Sequence, residues 1–287
     1  MKNQTELVCE ILQKYNLCKF CSSRLLSKFL NKTKLKSIQT NLIKKHKKNS
    51  EKKCYICKNI FENLDLIFLN ISKKSSHVDF TTFQLGIILK PSFLERDDYL
   101  KSKFKIKGAE TIKFALSKEL EKKISRRTKS KRNIEDPDLF IQANFKDDSC
   151  SLRTKPMFVY GRYTKKIRDI SQKEKKCFSC NGFGCNLCTI SGKKNSHSIE
   201  NMISNFLIKK FDANQVKINW IGGEDKSSLV LGKGRPFFTK IINPKKRSRR
   251  LIKSSQLQNG VSLSELQKII FQPKGSVNFK SEVSINI

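Results

Sequence analysis

Four C-x-x-C pairs constrain this chain more than any other feature: Cys18 with Cys21, Cys54 with Cys57, Cys177 with Cys180, and Cys185 with Cys188. Two-residue spacing lets both sulfurs of a pair reach one ion, and two pairs complete a tetrahedral thiolate shell. Cysteines grouped in this way point to metal binding in a reducing compartment, not to disulfides. The first four have the two knuckles of a zinc ribbon. Residues 22–53 lie between those knuckles without Pro or Gly, and residues 31–53 carry nine lysines against one acid, which predicts a helical or mobile insertion. The second cluster, CFSCNGFGCNLC, is tighter: four residues separate its pairs, and Gly182 and Gly184 give the backbone freedom to fold both onto one ion. Structural zinc is the expected occupant of each, because four thiolates leave no open position for chemistry. An iron–sulfur cluster is the alternative at the second site. Cys9 and Cys150 are expected to be small buried apolar residues.

The chain has 60 Lys+Arg against 25 Asp+Glu, a net charge of +35 over 287 residues. Self-repulsion of that size calls for a polyanionic partner, and nucleic acid is expected, since each phosphate neutralised releases counterions. No apolar run is long enough to span a membrane, and the first fifteen residues alternate polar with apolar at helical spacing. A soluble, cytoplasmic protein without a membrane partner is expected. The three histidines, His46, His77 and His197, are not placed for a Ser/His or Cys/His nucleophile system. GKGRP superficially suggests a phosphate cradle, but it leads into a strand pattern instead of a helix.

Periodicity places the remaining elements. FQLGIIL, DLFIQANF and PMFVYGRY read as strands, and Ile112, Leu116, Leu120 and Ile124 form one face of a helix. Ile199, Met202, Ile203, Phe206 and Leu207 form another. VKINW, SSLVLG and FFTKIIN read as strands, with PKKRSRR as a basic hairpin. Ser262 and Glu265 make a capping box that predicts a short helix over SLSELQKII. Val277, Phe279, Val283, Ile285 and Ile287 alternate as a final strand.

Four segments together resemble the archaeal and eukaryotic tRNA pseudouridine synthases known as pseudouridine synthase ten: KGAETIKFALSKELEKKI with NIEDPDLFIQANF, KPMFVYGRYTKKIRDISQ, the second cysteine cluster with its following helix, and GGEDKSSLVLGKGRPF. The resemblance implies an α+β chain. Residues 1–62 would be a zinc ribbon with a basic insertion, residues 63–150 a THUMP-like RNA-binding domain, and residues 151–287 part of an antiparallel pseudouridine synthase domain. It implies isomerisation of uridine to pseudouridine in the tRNA T-loop (positions 54 and 55), without an organic cofactor. The matching motif puts Asp225 on the catalytic aspartate, whereas GGED taken alone is an ordinary polar turn. Arg162, Tyr163, Lys165, Arg168, Lys233 and Arg235 are expected to contact RNA, with Lys166 beside them, and Arg235 to keep Asp225 ionised.

Two departures from the family pattern matter. The family's Arg two residues before the aspartate is Gly223 here, and KSSL replaces its second acid and following Arg. The family also has a second half of the catalytic domain beyond this point. The expectation is therefore a split or truncated synthase, one completed by a separate chain, or a tRNA-binding protein with structural zinc and no catalysis.

Overall fold

The structure is a computed structural model that describes residues 4–27, 53–188, 198–251 and 253–271, with Phe29, Ser37, Thr40 and Gly192. The expected basic insertion and terminal strand fall outside the described residues, apart from isolated positions of the former. The chain divides into two compact units, residues 1–76 with 80–153 and residues 77–79 with 154–287.

The first unit begins with α1 (Gln4–Lys14) and α2 (Lys19–Leu26), followed by the second C-x-x-C knuckle and α3 (Leu64–Ser75). Next come β1 (Thr82–Ile88), α4 (Pro91–Lys103), α5 (Ile112–Thr128), β2 (Lys131–Arg132), β3 (Leu139–Asn144) and β4 (Ser149–Thr154). The sheet order is β2-β1-β3-β4, with β1 parallel to both neighbours. Helix α5 starts where Thr111 accepts a hydrogen bond from the Phe114 amide and ends at Lys129 in the left-handed region. Its stripe of Ile112, Leu116, Leu120 and Ile124 is buried, as the spacing predicts.

A buried ion pair joins the metal knuckles to this α/β layer. Arg24 of α2 pairs with Asp97 of α4, and Asp97 also accepts from the Ile112 amide and pairs with Lys101 at 2.9 Å. Arg96 of α4 donates to the Ile56 carbonyl inside the second knuckle at 3.1 Å. Cys150 is buried, and desolvation pushes its thiol up, the state of an inert structural cysteine. Cys9 is half-buried.

The second unit is an antiparallel sheet ordered β6-β7-β5-β9-β8: β5 (Met157–Lys165), β6 (Gln215–Trp220), β7 (Val230–Ile242), β8 (Ser254–Gln256) and β9 (Val261–Ile269). Helix α6 (Ile199–Phe211), capped by Ser198, buries Ile199, Ile203, Leu207 and Phe211 against the sheet residues Val159, Tyr163, Phe237 and Ile241. Met202 and Phe206 are only partly buried.

SLSELQKII, expected as a helix, is strand β9. Ser262 pairs with Thr164 and Gln256 in the sheet instead of capping a turn. Glu265 sits at φ 51°, where the pairing of β9 with β5 shifts by one residue. That bulge moves the inward set from Val261 and Leu263 to Leu266, so a bulged strand acquires the three-residue spacing of a helix face. Sequence-local capping yields here to pairing with the central strand β5.

LGKG, before the Arg-Pro-Phe segment, is an excursion inside β7. Tyr163 pairs with Arg235, but Lys165 pairs with Val230. Gly234 (φ +75°) passes so close to β5 that a Cβ would lie 2.5 Å from the Tyr163 carbonyl oxygen. The glycines serve a strand bulge, consistent with the expectation that this segment leads into a strand.

Candidate active site and metal centres

Strand β5 alternates strictly: Met157, Val159, Gly161, Tyr163 and Lys165 face inward. Alternation therefore carries a lysine into the core, and a buried ammonium requires a carboxylate. Glu224 supplies it. Its side chain is 1% exposed, with Oε1 3.2 Å from Lys165 Nζ and Oε2 3.6 Å from Arg235 Nε. The Tyr163 hydroxyl donates to Glu224 Oε2 at 2.8 Å and accepts from Gln172 Nε2 at 3.0 Å. Burial, then the Glu224 charge, push the Tyr163 phenol up, which keeps it a donor.

The same side chains grip the backbone of the loop. Gln172 donates to the Gly222 carbonyl at 3.4 Å, and Arg235 Nη1 to the Gly223 carbonyl at 2.6 Å. Lys165 Nζ donates to the carbonyls of Asp225, at 3.4 Å, and Lys226, at 3.2 Å, and to that of Ile170. Arg168 donates to the Ser227 carbonyl at 2.6 Å. From Gly222 to Ser227, every carbonyl except that of Glu224 is thus held by a side chain. The result is a loop of fixed shape.

Asp225 projects outward from this loop. It is exposed, and its Oδ1 accepts from the Ser227 amide at 2.9 Å and the Ser227 hydroxyl at 2.8 Å. These two bonds, then the Lys226 and Lys165 charges, hold its carboxyl below the usual aspartate range. The expected Arg235 neighbour is paired with Glu224 instead. The enclosed carboxylate among cations is Glu224, and Asp225 is its solvent-facing neighbour. An open cleft of about 450 Å³ in the same unit is lined by Lys173, Glu200, Ile218, Asn219 and Trp220. Trp220 also meets the Tyr163 ring edge-on, with centroids 5.6 Å apart.

Two of the expected RNA contacts are corrected. Tyr163 and Lys165 are fully buried, so neither offers a ring face or an ammonium to a nucleic acid; they brace the loop. Arg162 is half-buried and occupied with the Lys233 and Gly234 carbonyls, at 2.9 and 2.7 Å. Arg235 is half-buried too, while Lys166, Arg168 and Lys233 are exposed. Glu224 and Gln172 were not among the expected site residues. The alternation of β5 was the available signal, since Lys165 in register with Val159 and Tyr163 demands a buried acid.

Both cysteine clusters are assembled. The four ligand sulfurs of each lie within 4.8 Å of one another. Tetrahedral metal–thiolate bonds of about 2.3 Å separate sulfurs by roughly 3.8 Å. The observed separations are 3.5 Å for Cys18–Cys57, 3.8 Å for Cys177–Cys185 and 3.7 Å for Cys180–Cys188. Amides of Gly184 and Cys185 donate to the sulfurs of Cys180 and Cys188, at 3.1 and 3.2 Å. Both groups fit a closed, structural metal shell. Among the described residues, no helix is long and apolar enough to cross a membrane.

Comparison with known proteins covers both units. Residues 69–144 match the family described as Pus10 THUMP domain, archaeal, and residues 158–278 match Pus10, C-terminal. The tRNA pseudouridine synthase Pus10 of Nitrosopumilus maritimus is 43% identical over 282 residues, spanning 97% of this chain and 72% of that protein. The Pus10 proteins of Archaeoglobus fulgidus and Cenarchaeum symbiosum are 36% and 31% identical, and the chain spans 54% and 58% of their lengths. With both domain types matched and a 43% identical relative aligned over 97% of this chain, the chain belongs to the Pus10 family of tRNA pseudouridine synthases.

Proposed function

We propose that this chain isomerises uridine to pseudouridine in the T-loop of tRNA, with Asp225 as the nucleophile. The observation that carries this reading is a carboxylate held ionised and solvent-facing on a loop whose carbonyls are clamped by Gln172, Arg235, Lys165 and Arg168. A clamped loop loses little entropy when a substrate arrives, which suits a group that must meet one atom of a nucleotide. Asp225 attacks the target nucleotide and the N1–C1′ bond breaks. The uracil turns and rejoins through C5, the bond to Asp225 breaks to return the free carboxylate, and the C5 proton is lost as N1 gains one. Atoms and charge balance without an oxidant or organic cofactor.

The target base has to leave its stack, at roughly a few kcal/mol. The net charge of +35 favours the phosphate contacts that offset this. Lys226 within the loop and Lys166, Arg168 and Lys233 of the same unit are exposed cations. Zinc held by the two thiolate shells would supply folding energy and no reacting group.

The test is an unmodified tRNA transcript, read by pseudouridine-specific chemistry at T-loop positions 54 and 55. Wild type should form product and Asp225→Asn none, with tRNA affinity unchanged. Equal binding without product from either protein would instead identify a tRNA-binding protein, the reading that the substitution of the family arginine by Gly223 favours.

A further inference from the structure

The Cys177–Cys188 cluster displays two aromatic rings to solvent. Phe178 and Phe183 are 95% and 92% exposed, far beyond the ordinary exposure of phenylalanine in a folded protein. They stand on a rigid support. The Phe183 amide donates to the Cys180 carbonyl at 2.9 Å, and the Cys177 amide to the Gly192 carbonyl at 2.9 Å. Gly182 and Gly192 approach so closely that a Cβ on Gly192 would lie 2.2 Å from the Gly182 oxygen. The segment leading into the knuckle is pinned as well: Gln172 O accepts from the Glu200 amide, and the Glu174 amide donates to Glu200 Oε2 at 2.8 Å.

Charge decides what such rings face. Lys173, Lys175 and Lys176 are exposed immediately before the knuckle. The Lys176 stem lies 3.4 Å from where a Gly182 Cβ would stand, beside Phe183 in sequence. Lys173 lines the cleft that Trp220 also lines. Aromatic faces set among lysines meet the two requirements for an unpaired nucleic acid strand, stacking surface and phosphate attraction. Gln172, which holds the Asp225 loop, is six residues before Phe178, at most about 20 Å of extended chain. That is roughly six nucleotides at 3.4 Å per stacked step.

We propose that the Cys177–Cys188 knuckle is a stacking platform on which Phe178 and Phe183 receive unpaired bases of the RNA substrate, close to the reacting nucleotide. This deepens the tRNA reading and rests on it for the identity of the RNA.

The experiment uses the full chain and its Phe178→Ala/Phe183→Ala variant, each checked for unchanged zinc content and melting temperature. Affinity is measured by fluorescence anisotropy for a labelled ten-nucleotide oligouridine and for a ten-base-pair RNA duplex. Stacking of about 1–3 kcal/mol per base predicts that the oligouridine binds at least tenfold more weakly to the variant. Duplex affinity and salt dependence should stay the same, because no phosphate contact is removed. Phe178→Tyr/Phe183→Tyr, which keeps both ring faces, should bind like wild type. Equal oligouridine affinity for wild type and the alanine variant overturns the platform. So does a wild-type self-association that the alanine variant loses while oligouridine affinity stays fixed, since the rings would then dock a second copy. Failure of wild type to modify tRNA would sink the synthase reading, but leaves this comparison of affinities intact.

Discussion

Glu224→Gln and Asp225→Asn should separate stability from activity at adjacent positions. Glu224 is 1% exposed, 3.2 Å from the fully buried Lys165 ammonium and 3.6 Å from Arg235. At an effective dielectric near 20, the closer pair alone attracts by about 5 kcal/mol, against the desolvation of both groups. Neutralising Glu224 leaves Lys165 buried without its counter-charge, a defect of roughly 3–5 kcal/mol. The lower end is expected, because Lys165 keeps the Ile170, Asp225 and Lys226 carbonyls. For a unit of this size that lowers the melting temperature by roughly 10 °C.

Calorimetry on Glu224→Gln, Lys165→Met and the double variant provides the check. The double variant should lose less than the sum of the two singles by at least about 1 kcal/mol, since the second change removes a charge already stranded. Asp225→Asn, on an exposed side chain, should melt with wild type while losing pseudouridine formation. A Glu224→Gln protein that melts with wild type but is inactive would refute the reasoning, and would make Glu224 the reacting carboxylate.

Three further outcomes follow from the geometry. Gly223 has open space where a Cβ would stand, so Gly223→Arg should fold normally; a guanidinium beside Asp225 should raise kcat about tenfold, the worth of one charge-assisted contact, in the tRNA assay. The Asp225 carboxyl is depressed, so it stays ionised as pH falls through the usual aspartate value of 3.8 and protonates only below it. Ser227→Ala removes one of the two bonds responsible and should move the Asp225 titration upward by NMR, a fall in titration pH being the refuting result. If zinc fills both thiolate shells, chelation should release two ions per chain; loss of the Cys18 site should unfold the region around α2, read as lost helical circular dichroism, because a metal there would tie its two C-x-x-C pairs together.

Much of this architecture is determined by local sequence. C-x-x-C spacing specifies the two metal shells because the sulfur positions follow from two intervening residues. The Ile112–Ile124 and Ile199–Leu207 stripes specify their helices because the apolar period of 3.6 is sustained over two or more turns. The Gly-Glu-Asp and Gly-Arg-Pro-Phe segments carry the resemblance on which the proposed role of Asp225 rests. Tertiary structure alone decided three things. A bulge at Glu265 made a strand imitate helical spacing, and only pairing with β5 distinguishes the two. The inward register of β5 made Tyr163 and Lys165 braces instead of RNA contacts. Between two adjacent acids, the position of the Lys165 ammonium drew Glu224 inside and left Asp225 in solvent. The physical reason is common to all three: which side of a strand or loop is buried depends on what packs against it, and those partners lie tens of residues away in the chain.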